Sequence, residues 1–449
     1  MFDLKIVAFL CTWCSYAGAD LSGTGRNQYP PNIRVIRIPC SGRINPIYII
    51  KALLEGADGV MVSGCHPGDC HYLVGNFHAR RRFIILKKLL TTAGFDPDRV
   101  HFTWVSASEG IRFAEVVREV TEKVSALGQN KTDLPHKMAL ASPAAPANHM
   151  APASPVGTTA PGRPPTYQKQ QNDLIPLCRK LLENGEVNTI IGFQEGGEMG
   201  MSLPCIVTDP EGAEKLVWND RCVPVLSGYL SDRKGKTAIV AKPCDARAVA
   251  SLIRENQLKR EDVYIIGLVC EGMKNDNDQL LQACLDCRTK SPPVYDVLIG
   301  DAETVKSNHE EPRQEPDESM ERFLSEIDKC ILCYSCRQSC YGCYCKTCFM
   351  ERGEPNWQPA APDREEKMLY HLGRTMHLAG RCVECGACEN ACASGVDIRY
   401  LIRGVTNFIE EMYDFRAGMD METQSAVLEF DKEDLEVGFL GYAGGEDDA

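Results

Sequence analysis

The stretches Cys330-Ile-Leu-Cys333-Tyr-Ser-Cys336-Arg-Gln-Ser-Cys340 and Cys382-Val-Glu-Cys385-Gly-Ala-Cys388-Glu-Asn-Ala-Cys392 write one spacing twice, C-x2-C-x2-C-x3-C. Two-residue gaps let one tight loop wrap three corners of a cubane 4Fe-4S cluster. The fourth cysteine, leaving on a helix, reaches the neighbouring cluster. A non-redox zinc scaffold is the rival reading, but structural zinc sites pair C-x2-4-C units and have no use for four consecutive ligands at this spacing. The segment therefore predicts two 4Fe-4S clusters.

The rest of the chain sets the context. Its 449 residues suffice for two to four domains with ordinary cores, so the 23 cysteines are not needed as staples. Without a secretory signal, that many cysteines point to metal ligation in a reducing compartment. Met1 to Leu10 reads as a first strand, and no apolar run approaches a membrane span, so a cytoplasmic location is expected. A net charge of −13 argues against nucleic acid, whose phosphates need clustered positive charge. The run Arg80, Arg81, Arg82, followed by Lys87 and Lys88, is either a dock for an acidic partner or, as is commoner, a solvated helix face.

Residues 1–130 alternate strand and helix signals. Ile6 to Leu10, Val35 to Ile38, Val60 to Val62 and Phe102 to Val105 read as buried parallel strands, with helices near 46–55, 77–93 and 109–127. This predicts a doubly wound, flavodoxin-like α/β domain. Cys11 and Cys14 follow the first strand, Cys40 the second, and Cys65 and Cys70 the third. Loops after the strands of such a sheet emerge on one edge, so the five cysteines should converge. Buried free thiols would explain any one of them, but not five at equivalent strand ends. Four suffice for a 2Fe-2S or 4Fe-4S cluster, which leaves one spare, on the electron path, or ligating in one state only.

The stretches Cys11-Thr-Trp-Cys14-Ser-Tyr-Ala-Gly-Ala-Asp20, Pro39-Cys40-Ser-Gly-Arg43 and Gly56-Ala-Asp-Gly-Val-Met-Val-Ser-Gly-Cys65-His-Pro-Gly-Asp-Cys70-His-Tyr72 resemble the delta subunit of methyl-viologen-reducing hydrogenase. The resemblance covers about the first 128 residues. It implies a 2Fe-2S cluster, and a protein that hands electrons from a hydrogenase or formate dehydrogenase to the flavoprotein heterodisulfide reductase A. His66 and His71 flank the cysteines and read as hydrogen-bonding neighbours rather than ligands.

Residues 131–171, rich in Pro, Ala, Ser and Thr, read as a linker. Residues 172–315 return to α/β signals, with strands at Thr189 to Phe193, Ala238 to Ala241, Val263 to Val269 and Val294 to Ile299 and helices near 174–184 and 245–256. Cys244 and Cys270 follow strands, and Cys284 and Cys287 form a C-x2-C pair; together they are candidates for one more 4Fe-4S cluster. Cys178, Cys205 and Cys222 fit no such pattern and read as core thiols. Lys242-Pro-Cys244-Asp-Ala-Arg247 and Ile266-Gly-Leu-Val-Cys270-Glu-Gly272 resemble, more weakly, the beta subunits of deazaflavin-dependent hydrogenase and formate dehydrogenase, which implies a 4Fe-4S cluster and FAD. The loop Gln194-Glu-Gly-Gly-Glu-Met-Gly200 is where a flavin phosphate would sit, although such loops are more often plain turns and its acidic residues repel phosphate.

An acidic hinge at Glu310 to Glu318 leads into residues 316–415, a two-cluster ferredoxin domain expected at the end of the molecule opposite the 2Fe-2S unit. Residues 416–449 form an acidic tail, read as a free arm available to a partner. Helices near 364–379 and 397–412 flank the second motif, an arrangement that resembles helical ferredoxins such as heterodisulfide reductase C. Tyr341 and Ala393 stand where such motifs usually carry proline. Cys343, Cys345 and Cys348 lie beyond the first motif, as alternative ligands or as partners of a middle-domain cysteine.

With no catalytic triad, Walker loop or dinucleotide fingerprint, the chain reads as an electron-transfer subunit. It would join a donor oxidoreductase, such as a hydrogenase or formate dehydrogenase, to a flavoprotein like heterodisulfide reductase A, within an electron-bifurcating assembly. The competing enzymatic reading has the middle domain bind FAD and oxidise a deazaflavin or NAD(P)H.

Overall fold

A computed structural model of the chain describes residues 4–130, 166–196, 201–231, 233–301, 318–351 and 363–434, and the backbone of 439–440. Most of the expected linker, the acidic hinge and the end of the Gln194–Gly200 loop lie outside these residues.

The first unit runs β1 (Ile6–Cys11), α1 (Ser15–Thr24), β2 (Ile33–Ile38), α2 (Pro46–Leu54), β3 (Gly59–Gly64), α3 (Gly75–Thr92), β4 (Val100–Trp104) and α4 (Gly110–Leu127). Its apolar runs pair as parallel strands, and helices cover both faces of the sheet. Against α4 pack Ile6, Ala8, Leu10 and Met61, while Phe9, Val60 and Val62 face α2 and α3. Asn45 starts α2 by accepting the Ile47 N–H, with Pro46 at the first helical position.

The second unit comprises α5 (Thr166–Glu183), β5 (Thr189–Gln194), β6 (Leu203–Val207), β7 (Thr237–Ala241), α6 (Pro243–Arg254), β8 (Val263–Leu268), α7 (Gln282–Leu285) and β9 (Val297–Ile299). Its sheet has the order β6-β5-β7-β8-β9, parallel except for the antiparallel pair β5–β6. Helix α5 begins at Thr166, inside the stretch expected to be linker. Cys178, Cys205 and Cys222 lie in this unit's core.

The third region is helical: α8 (Met320–Lys329), α9 (Ser335–Gln338), α10 (Arg364–Leu378), α11 (Ala387–Asn390) and α12 (Arg399–Tyr413), followed by the two-residue β10 (Phe439–Leu440). Ser319 and Asp363 cap α8 and α10, accepting the N–H groups of Arg322 and Glu366. The fold class is therefore α/β, with one parallel sheet, one mixed sheet and a helical C-terminal region.

Long-range packing corrects four sequence expectations. The first sheet has the order β10-β4-β3-β1-β2, so β2 is an edge strand and its residues Arg34 to Arg37 are exposed rather than buried. The opposite edge strand, β10, comes from the far end of the chain and pairs in parallel with β4. Up to Asp434 the tail is consequently no free arm: Phe430 stacks on Phe77, and Arg80 donates to the carbonyls of Asp431 and Lys432. Arg80 and Arg81 are buried, not solvated, and Arg81 makes a two-pronged ion pair with Asp434 at 2.6 and 2.7 Å. An acidic segment does dock on the arginine run, and it belongs to the same chain.

The fourth correction concerns order in space. The segment expected to be a ferredoxin does not lie at the end opposite the first unit. Instead Phe323, Met368, Leu372 and Val405 share one core with Ile47, Phe83 and Leu86 of the first unit and with Ala248 and Leu252 of the second. The last segment of the sequence sits between the other two.

Candidate metal centres

The five N-terminal cysteines meet at the C-terminal edge of the first sheet. Cys11 ends β1, Cys14 precedes α1, Cys40 follows β2, and Cys65 follows β3. The Sγ atoms of Cys11 and Cys65 are 3.8 Å apart, and those of Cys40 and Cys70 4.0 Å. The Cys40 and Cys65 thiols hold Cys11 far below the ordinary thiol range and are themselves pushed up by it, while burial raises Cys14. Such a set prefers to share few negative charges until a cation arrives.

Neighbouring groups shape this pocket. A Cβ at Gly75 would lie 2.6 Å from the Cys40 sulfur and 3.4 Å from that of Cys70, so a residue without a side chain is required where α3 begins. Asn76, fully buried, donates to the carbonyls of Cys65 and His66 and fixes the loop. Neither flanking histidine touches a cysteine sulfur among the described contacts: His66 meets Glu109 at 2.7 Å, and His71 stacks on Trp13 at 3.8 Å.

In the second unit Cys244, Cys270, Cys284 and Cys287 line one cavity, together with Lys242, Arg247 and Lys290. Cys244 sits in the first turn of α6, Cys270 just beyond β8, and Cys284 in α7. Cys284 accepts the Met273 N–H at 3.2 Å. Burial pushes Cys270 up to about 12. Lys242 is buried against Asp245 at 2.9 Å. Cys385 of the second ferredoxin motif lines the same cavity. Gly386, at φ +73°, leaves no room for a Cβ against Ala283, and Arg399 bridges Asp286 and Glu389 at 2.6 and 2.7 Å. The second unit's cysteines and the second motif are thus clamped together.

The two C-terminal cysteine motifs repeat one local structure. In the first, Leu332 and Tyr334 flank Cys333 with positive φ; in the second, Glu384 and Gly386 flank Cys385 in the same way. Cys330 accepts the Leu332 N–H and Cys382 the Glu384 N–H, each at 3.3 Å. Left-handed residues at these positions turn consecutive N–H groups inward, the arrangement that favours a bound anion. Cys330, Cys333 and Cys336 line a small cavity with Cys392, the last cysteine of the other motif. Reciprocally, Cys340 lies within electrostatic range of Cys385 and Cys388.

The three additional cysteines separate. Cys343 lies against Cys340, whose hydrogen bond draws it down to about 7, with Arg374 adding to the effect and burial opposing it. Cys345 is exposed. None of the three lines the second unit's cysteine cavity.

Helix α10 contributes groups that the cysteine spacing did not point to. Tyr370 Oη is 3.3 Å from Cys336 Sγ, His371 Nε2 is 3.2 Å from Cys330 Sγ, and Arg374 donates to the Cys336 carbonyl at 3.0 Å. Positions i, i+1 and i+4 share a helix face. A polar stripe on a helix between two cysteine motifs is the signal that would have found them. Among the described residues, no three Cys, His, Asp or Glu side chains stand close enough to hold a single metal ion. No described helix is long and apolar enough to cross a membrane.

Residues 6–128 match the family model described as methyl-viologen-reducing hydrogenase, delta subunit. The same region is 52% identical over 130 residues to the iron-sulfur subunit of the F(420)-non-reducing hydrogenase of Archaeoglobus profundus, covering 29% of this chain and 95% of that protein. It is 52% identical over 127 residues to the iron-sulfur subunit of the F(420)-non-reducing hydrogenase vhc of Methanococcus voltae, covering 28% of this chain and 88% of that one. It is also 49% identical over 129 residues to the ferredoxin:CoB-CoM heterodisulfide reductase A protein of Methanosarcina mazei, covering 29% of this chain and 16% of that protein.

Proposed function

Because the chain belongs, through residues 6–128, to the family of the methyl-viologen-reducing hydrogenase delta subunit, we propose that the whole of it is an iron-sulfur electron-transfer subunit. It would connect a donor oxidoreductase, a hydrogenase or formate dehydrogenase, to a flavoprotein of the heterodisulfide reductase A type within an electron-bifurcating complex. In this reading four of Cys11, Cys14, Cys40, Cys65 and Cys70 ligate a 2Fe-2S cluster, and Cys244, Cys270, Cys284 and Cys287 a 4Fe-4S cluster. Cys330, Cys333 and Cys336 with Cys392, and Cys382, Cys385 and Cys388 with Cys340, hold two more. The second and third regions act as a beta-subunit-like domain and a two-cubane helical ferredoxin.

Iron-sulfur clusters supply one-electron chemistry, and the chain's part is to hold, insulate and bias them. The residues present suit that task. Sulfur atoms converge in sets from separate elements, N–H groups point at Cys330, Cys382 and Cys284, and Gly75 leaves the space a side chain would fill. The observation that carries the reading is the shared cavity in which Cys385 stands among the second unit's four cysteines. A continuous series of sulfur sites is what a wire requires, and a zinc scaffold would gain nothing from it.

Anaerobic purification of the full chain with its bound partners, followed by metal and flavin analysis, tests this. The expected result is about fourteen irons per chain from the standard cluster sizes, with a flavoprotein co-purifying. Stoichiometric zinc with little iron, or recovery of an iron-loaded chain without any flavoprotein, would overturn it.

A further inference from the structure

Arg374 is 3% exposed, in the third turn of α10 between the two ferredoxin motifs. One of its nitrogens reaches the Cys336 carbonyl. Its Nε and Nη1 have no hydrogen-bond partner among the described residues. A buried guanidinium with two idle donors is costly, because water that would have satisfied them is gone. Nor does a carboxylate offset the charge, since no ion pair from Arg374 to Asp or Glu is formed among the described residues. Its surroundings are sulfur: Cys336, Cys340 and Cys343 from the first motif side, and Cys388 from the second. A guanidinium keeps its charge even when buried, so a cation is held among these sulfurs.

We infer that Arg374 is the shared counter-charge of the two C-terminal clusters, its idle Nε–H and Nη1–H donating to their sulfur atoms, so that one side chain raises both reduction potentials together. This rests on the two-cubane reading above. The physics is direct. Each four-thiolate cubane is a net anion, reduction adds another negative charge, and a fixed cation in a low-dielectric interior favours the reduced form. Arginine suits the position better than lysine, because its planar fork presents separate donors in two directions while its charge cannot be titrated away. The cross-over of Cys340 and Cys392 between the sites places one helix face against both, so a single residue serves two clusters. Tyr370 and His371, by contrast, each address one first-motif cysteine.

The test is an EPR-monitored redox titration of the intact, anaerobically prepared chain carrying Arg374→Gln or Arg374→Lys. The C-terminal signals are assigned beforehand with Cys336→Ser and Cys388→Ser, and the N-terminal signal serves as an internal reference. In Arg374→Gln both C-terminal midpoints should move to lower potential while the N-terminal one stays, and Arg374→Lys should recover part of the shift in both. Loss of C-terminal iron from Arg374→Gln, with retention in Arg374→Lys, would equally support a charge that the clusters need. A shift in only one cluster, no shift, or Arg374→Lys behaving like Arg374→Gln in potential or in iron loss would overturn the inference. Absence of two cubane signals from the unsubstituted chain would instead refute the reading beneath it.

Discussion

His371 Nε2 lies 3.2 Å from the sulfur of Cys330, in the buried space where α10 crosses the end of α8. Burial keeps the imidazole neutral, so a single N–H is available, and with Cys330 as a cluster ligand under the proposed function that N–H would donate to its sulfur. A hydrogen bond to a ligating sulfur withdraws charge from it and makes reduction easier.

His371→Phe keeps the ring volume and deletes the donor. The first-motif cluster should become harder to reduce by roughly 40 mV, the one-electron equivalent of about 1 kcal/mol for a lost hydrogen bond. The second-motif cluster, which His371 does not touch, should hold its potential. Redox titration by EPR distinguishes the two, and equal shifts in both would show that the substitution acts through packing instead.

Gly75→Ala should empty the N-terminal site without unfolding the domain. The added Cβ would stand 2.6 Å from Cys40 Sγ, inside any real contact distance, while the position is the first residue of α3, where alanine is a good helix former. Iron analysis should fall by about two atoms per chain, the content of one 2Fe-2S cluster, with far-ultraviolet circular dichroism unchanged. Full iron retention would show that the Cys40 and Cys70 sulfurs have room to retreat.

Glu366 gives the fold a pH dependence of defined sign. Burial pushes its carboxyl up to about 7; Lys51 opposes this, and Asp363, Glu365 and Glu55 add to it. The native state therefore binds more protons than the unfolded chain between pH 4.5 and 7. Stability from this site is unaffected below that window and lost as pH rises through it. Glu366→Gln, neutral throughout, should stabilise the protein at pH 8 by on the order of 1–2 kcal/mol once solvent screening is discounted, and by almost nothing at pH 4.5. Melting temperatures of both proteins across that range measure it; a gain that is the same at both ends would mean that the carboxyl is not being forced to ionise in the fold.

The local parts of this molecule were legible in its sequence because they depend on neighbours along the chain. Apolar runs such as Ile6–Cys11 and Gly59–Gly64 form strands, Asn45-Pro46 starts a helix, and cysteines placed just after strands collect on one sheet edge. The repeated spacing around Cys330 and Cys382 goes with the same left-handed residues in both copies.

Tertiary packing decided what lies beside what. Periodicity reports that a face is apolar, not which face meets it, so nothing local revealed that α10 and α12 would pack between the first and second units, or that β10 would return to β4. The arginine run at 80–82 reads as a solvated stripe until the acidic tail far along the chain covers it, as Arg80 with Asp431, 351 positions apart, makes plain. For the same reason nothing local to the sequence marks Arg374 as a buried cation. Sequence alone determined that this chain carries cysteines in the patterns that iron-sulfur clusters use. Only the folded structure set the order of those cysteine sets and buried Arg374 against Cys336, because burial and electrostatics depend on distance in space rather than along the chain.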